Sequence, residues 1–127
     1  MMLTEHQPGN HYHIRKIDTD GVVINDRLYQ TSLILGARLL HTDWPVTGYD
    51  DLDSNTIKPL VEHQPEVVLI GIGHSKTIPD PRVQREFLKH GIGVECMTLP
   101  AACRTFNILM SENRRALVGL ILPESGS

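Results

Sequence analysis

Two continuous apolar runs stand out from an otherwise mixed chain. They are Val67-Val68-Leu69-Ile70-Gly71-Ile72-Gly73 and Ala116-Leu117-Val118-Gly119-Leu120-Ile121-Leu122. Each is too short for a typical helix and lacks polar alternation, so both read as strands buried on two faces. Between them the period changes. Val83, Phe87 and Leu88 form a helical stripe framed by Asp80 as cap, Pro81 at the first helical position and Gly91 at the far end. Residues 93–97 read as a strand. Thr98 then caps a third helix reaching about Asn113, with Pro100 in its first turn and Ala101, Thr105, Ile108, Leu109 and Glu112 along one side. Ahead of the first run, residues 56–63 form a helix whose Ile57, Leu60 and Val61 share a face. Pro59 is comfortable there only in a first turn, and Pro65 ends the segment.

The first 45 residues show strand periodicity only. Residues 11–18 place Tyr12 and Ile14 on one face and His11, His13 and Arg15 on the other. Residues 22–24 and 28–30 flank Asn25-Asp26, a pair suited to a tight hairpin. Residues 32–35 are a further strand, broken by Gly36, with 37–41 continuing in extended form. The whole chain therefore predicts an α/β domain: a β-meander, then alternating helices and strands with at least one parallel βαβ crossover. The meander either extends that sheet or packs as a second layer. Residues 1–10 are expected to be a flexible start, 11–123 a single domain and 124–127 a tail.

Composition narrows the function classes. The 127 residues carry 12 Lys and Arg against 15 Asp and Glu, and the basic residues are scattered. That balance gives no field for nucleic acid. No apolar run reaches the roughly 18 residues of a membrane span, and Met1 to Gly9 lack a signal pattern. Cys96 and Cys103 are too widely spaced for CxxC, so a reducing cytoplasm is the expected compartment.

Candidate chemistry gathers where the strands end. Gly71-Ile72-Gly73-His74-Ser75-Lys76 begins like a phosphate-binding turn. Lys76 stands where the dinucleotide fingerprint needs its third glycine, and the Walker pattern fails too. The simpler reading is a tight strand exit. If the strands at 67–72 and 94–97 are parallel neighbours, their carboxyl ends adjoin, where open α/β sheets bind ligands. Gly71, Gly73, His74, Ser75, Lys76, Glu95, Thr98, Thr105, Asn107 and Arg114 then form one candidate binding crevice. The alternative gives each polar residue structural work. Thr98 caps a helix, Thr105 and Asn107 bond backbone, and Glu95, a carboxylate in an apolar strand, pairs with Arg104, Arg114 or Arg115. Cys96 and Cys103 are either a thiol centre or small buried hydrophobes. His11, His13 and His41 lack the company of a metal set. No catalytic set, metal site or cofactor motif is complete.

The ordered residues Trp44, Gly71, Gly73, Glu95, Met97, Thr98, Ala101, Thr105, Asn107, Glu112 and Arg114 resemble a small family named for an archaeal domain of unknown function. Its relatives include a mitochondrial respiratory complex I assembly factor and an adipogenesis-associated mammalian protein. The resemblance covers about Tyr12 to Pro123. It implies a three-layer α/β fold, a central mixed sheet with helices and an additional N-terminal β layer, and no general reaction. Ile72 replaces a small polar residue usual between the two glycines, and Phe106 replaces a common tyrosine. The function expected is a non-enzymatic accessory or assembly factor with protein partners. The alternative is a small-molecule or anion site at the 71–76 and Thr98 loops.

Overall fold

The structure, a computed structural model, describes residues 12–74 and 81–123. The expected flexible start, the tail, Ser75, Lys76 and the Asp80 cap lie outside the described residues. In chain order the elements are β1 (Ile14–Asp18), β2 (Gly21–Ile24), β3 (Arg27–Tyr29), β4 (Leu33–Leu35), β5 (Leu40–His41), α1 (Lys58–Glu62), β6 (Val67–Ile72), α2 (Pro81–Leu88), β7 (Gly93–Met97), α3 (Leu99–Ser111) and β8 (Ala116–Ile121). A single 3₁₀ turn, Tyr49–Asp51, lies in the segment read as a loop.

The meander does both of the things its sequence allowed. Strands β1, β2 and β3 form their own antiparallel sheet, while β4 and β5 extend the central one in the order β5-β4-β8-β6-β7. The central sheet is mixed: β8 pairs antiparallel with β4 and parallel with β6, and β6 pairs parallel with β7. The two apolar runs are its interior strands, and every residue of β8 is buried. One face packs Val68, Ile70, Leu117 and Ile121 against α1, α2 and the Trp44–Leu52 segment. The other packs Leu69, Val118 and Leu120 against α3 and the three-stranded sheet. The result is the three-layer α/β arrangement expected from the sequence.

Close approach explains one glycine of β8. A Cβ at Gly119 would lie 2.8 Å from the Trp44 ring, which is held by an indole N–H donated to the Thr56 carbonyl at 2.8 Å. The same region hides a polar hub. Buried Ser32 accepts from the Leu122 N–H at 2.8 Å and donates to the Val46 carbonyl at 2.5 Å, so one hydroxyl joins β4, the Trp44 loop and the end of β8.

Two expected elements shift. Helix α1 starts at Lys58 because Asp53 holds the preceding turn, accepting from the Asn55 and Thr56 N–H groups at 2.9 Å each. This is an Asx turn, and Pro59 then falls inside the first helical turn. On α3 the inward residues are Leu99, Ala102, Cys103, Phe106 and Met110, and Ile108 is 56% exposed. The stripe through Ala101, Thr105 and Ile108 is not the core face. The helix contacts β6 and β8 and also β1, and its buried residues recur at helical spacing along one face.

Candidate functional site

The strand ends meet as the parallel pairing requires. The Leu99 N–H donates to the Gly73 carbonyl at 2.8 Å, so the loop after β6 and the junction between β7 and α3 touch. Gly73 takes the left-handed φ of +68° that turns the chain out of the sheet. That contact also uses up the anion-binding capacity of the helix start. Of the first-turn donors, Leu99 goes to Gly73, Pro100 has none, and the Ala101 N–H reaches the Thr98 hydroxyl at 3.3 Å. The Ala102 N–H closes on the Thr98 carbonyl at 2.9 Å. A helix N-terminus attracts anions through unspent N–H groups, and the first four residues here offer none.

The remaining candidate residues disperse. Gly71 faces α3, where a Cβ would lie 2.7 Å from the Ala102 Cβ. Thr105 is half-buried on α3. Asn107 is bound to the N-terminal sheet: its Oδ1 accepts from the Ile14 N–H at 3.1 Å and its Nδ2 donates to the Ile14 carbonyl at 2.8 Å. Glu95 is exposed on β7, an edge of the central sheet, rather than buried. Among the described residues it makes no ion pair with Arg104, Arg114 or Arg115. A charge at an edge strand suits protection against edge-to-edge pairing. Arg114 pairs instead with Glu66, Nε to Oε1 at 3.5 Å. It precedes β8, whereas Gly73 follows β6, so the length of a six-residue strand separates them, on the order of 20 Å. Of the candidate residues, the eight that are described are therefore spread over both ends of the sheet, and Ser75 and Lys76 lie outside the described residues.

Neither thiol is activated. Burial raises the Cys96 thiol, partly opposed by a hydrogen bond with Tyr49, and burial pushes Cys103 up to about 12. With that value roughly one Cys103 in 10⁵ is thiolate at neutral pH. Alkylation of Cys103 by iodoacetamide is therefore expected to run at least about a hundredfold slower in the native protein than in denaturant. Comparable rates in mass-spectrometric time courses would contradict the buried, protonated thiol.

What Gly73 and His74 do share is a cavity of about 500 Å³ at the C-terminal ends of β6 and β8, lined also by Leu99, Gln30, Asp18 and Asp20. The Asp20 N–H, at 2.8 Å, and then Lys16 hold the Asp18 carboxyl below its usual range. Carboxylates at this mouth disfavour an anion. The sequence marks Asp20-Gly21 as a turn but carries no signal that this turn overhangs strands some 50 residues or more away.

Among the described residues no helix is long and apolar enough to cross a membrane. The chain is 40% identical over 86 residues to the zebrafish (Danio rerio) NADH dehydrogenase [ubiquinone] 1 alpha subcomplex assembly factor 3, covering 66% of this chain and 49% of the relative. To the human (Homo sapiens) protein of the same name it is 30% identical over 131 residues, covering 98% of this chain and 68% of the relative. It thus spans about half the length of the zebrafish protein. The NMR structure of a Xanthomonas campestris protein superposes with a TM-score of 0.82 at 31% identity, covering 96% of this chain and 93% of that one. Residues 14–121 match the family described as "Protein of unknown function (DUF498/DUF598)". On that match, which takes in every strand and helix of the fold, the chain belongs to the DUF498/DUF598 family.

Proposed function

We propose that this protein is an accessory or assembly factor that acts by binding other proteins. The observation that carries the reading is the relation to the human assembly factor across 98% of this chain. The chemistry of the junction supports it. Thr98 and Asn107 spend their polar atoms on backbone, Glu95 is exposed at an edge, and Cys103 stays protonated. Two free thiols suit a reducing compartment such as the cytoplasm. The test is crosslinking and affinity purification of the full chain, tagged and expressed at its native level. One or a few proteins should be recovered at constant stoichiometry in replicate. Recovery of no reproducible partner would overturn the reading.

A further inference from the structure

At the opposite end of the central sheet a second cavity, about 470 Å³, has a different character. Its floor is apolar, with Leu39, Met110 and Leu117, and its rim carries Arg38, Arg114 and Arg115. The chain as a whole has a formal net charge of −3, so a rim of three arginines is not a by-product of composition. The cavity with Asp18 and Asp20 at its mouth lies at the other end of the sheet.

The rim is built rather than incidental. Asn113, at φ +58°, turns the chain after α3, and the Arg114 N–H returns to the Leu109 carbonyl at 3.0 Å. Two consecutive arginines are thereby presented before β8. The Arg115 guanidinium is anchored by donation from Nη1 to the Gln64 carbonyl at 2.6 Å, and its backbone N–H donates to Glu66 at 3.0 Å. Glu66 also meets Arg114, through Nε. Each anchor uses one edge of a guanidinium, and among the described residues its other donors have no partner. Arg38 reaches the same rim from the β4–β5 turn. That turn sits directly on Leu117, because Gly36 has no Cβ; one there would lie 2.5 Å from Leu117 Cδ2. Among the described residues Arg38 has no ion-pair partner. Three guanidinium charges set against one carboxylate leave a positive surplus beside an apolar floor.

We infer that this cavity binds a small monocarboxylate with a short apolar tail. The head takes the open donors of Arg38 and Arg114, and the tail lies on Leu39, Met110 and Leu117. A guanidinium fork matches a planar carboxylate, and Glu66 already shows a carboxylate accepted on this turn. The volume falls within the range of small-molecule sites, roughly 300–1,000 Å³.

The experiment is titration of the ¹⁵N-labelled full chain with sodium octanoate, 1-octanol, acetate and inorganic phosphate in parallel. Octanoate should saturate, with the largest amide shifts at residues 37–39 and 113–117. Octanol, acetate and phosphate should each bind at least about tenfold more weakly, because each lacks the planar charged head, the tail or both. Arg38→Gln should weaken octanoate about tenfold at an unchanged melting temperature, since among the described residues Arg38 makes no ion pair. Shifts centred on Gly73 and His74, binding of octanol or phosphate as tight as that of octanoate, or an Arg38→Gln protein with unaltered affinity would each overturn the site. So would the absence of saturation.

Discussion

Replacing Gly71 with alanine should destabilise the protein by about 1–3 kcal/mol, although it adds a single methyl group. The new Cβ would sit 2.7 Å from the Ala102 Cβ, 3.3 Å from Leu120 Cδ2 and 3.4 Å from the Leu99 Cα. Two of these neighbours belong to the first turn of α3 and the third to β8, so relief requires the helix to lift from the sheet. Lifting it strains the contact from Leu99 to Gly73 and loosens the packing of Phe106 and Met110 against the same face. Gly73 provides the contrast. Among the described residues nothing lies within 4 Å of a Cβ there, but its φ of +68° is costly for an L-residue. Gly73→Ala should therefore cost about 1 kcal/mol through backbone strain alone. Urea unfolding of both variants measures the difference. Adding Ala102→Gly should recover part of the Gly71→Ala loss and none of the Gly73→Ala loss, a coupling that a double-mutant cycle reads directly. Equal costs at the two glycines, or no recovery with Ala102→Gly, would remove close helix–sheet approach as the reason for Gly71.

That contrast marks where sequence reasoning stops. A Gly-x-Gly after a buried strand looks like one motif, yet its two glycines do unrelated work, one sparing room for Ala102 and the other turning the chain. Local features were legible because their causes are local. The runs at β6 and β8, the alternation of helix and strand, and Thr98 as cap all follow from neighbours within a few residues. The adjacency of the Gly73 loop and Thr98 was legible as well, because parallel pairing forces it. Other assignments depend on residues far away in sequence. Glu95 is exposed because β7 ended up at an edge, a fact of strand order. Arg114 belongs with Arg38, 76 positions earlier, because β4 pairs antiparallel with β8 and carries its turn to that end of the sheet. No periodicity within either segment encodes that meeting. The side of α3 that carries Ile108 lies opposite its single buried face of Leu99, Ala102, Cys103, Phe106 and Met110, so Ile108 is exposed.

Asn107 gives the second large effect. Asn107→Ala should cost about 1–3 kcal/mol, and Asn107→Asp more than Asn107→Ala at neutral pH. The carboxamide presents one acceptor and one donor to the two backbone groups of Ile14, at 3.1 and 2.8 Å, much as a neighbouring strand would. Ile14 lies on β1 beside a register shift in its pairing with β2, so the ladder is weakest where the side chain intervenes. Alanine leaves both Ile14 groups without their partners in a partly buried site. Aspartate does worse, because a carboxylate oxygen then faces the Ile14 carbonyl in place of the amide donor. The repulsion raises the pKa of the new carboxyl. As pH falls through that raised value the proton restores a donor, so the Asp variant should regain stability relative to Ala in acid. Hydrogen exchange localises the loss. Amides of β1 and β2 should lose protection first, while those of β6 and β8, held by the central sheet, stay slow. A side chain waiting for a ligand would behave oppositely, since its removal would leave both the melting temperature and the β1 amides unchanged. The three-stranded layer meets α3 through apolar packing and this amide bridge, and packing alone resists sliding poorly. Asn107 therefore fixes the register of the outer layer against the helix.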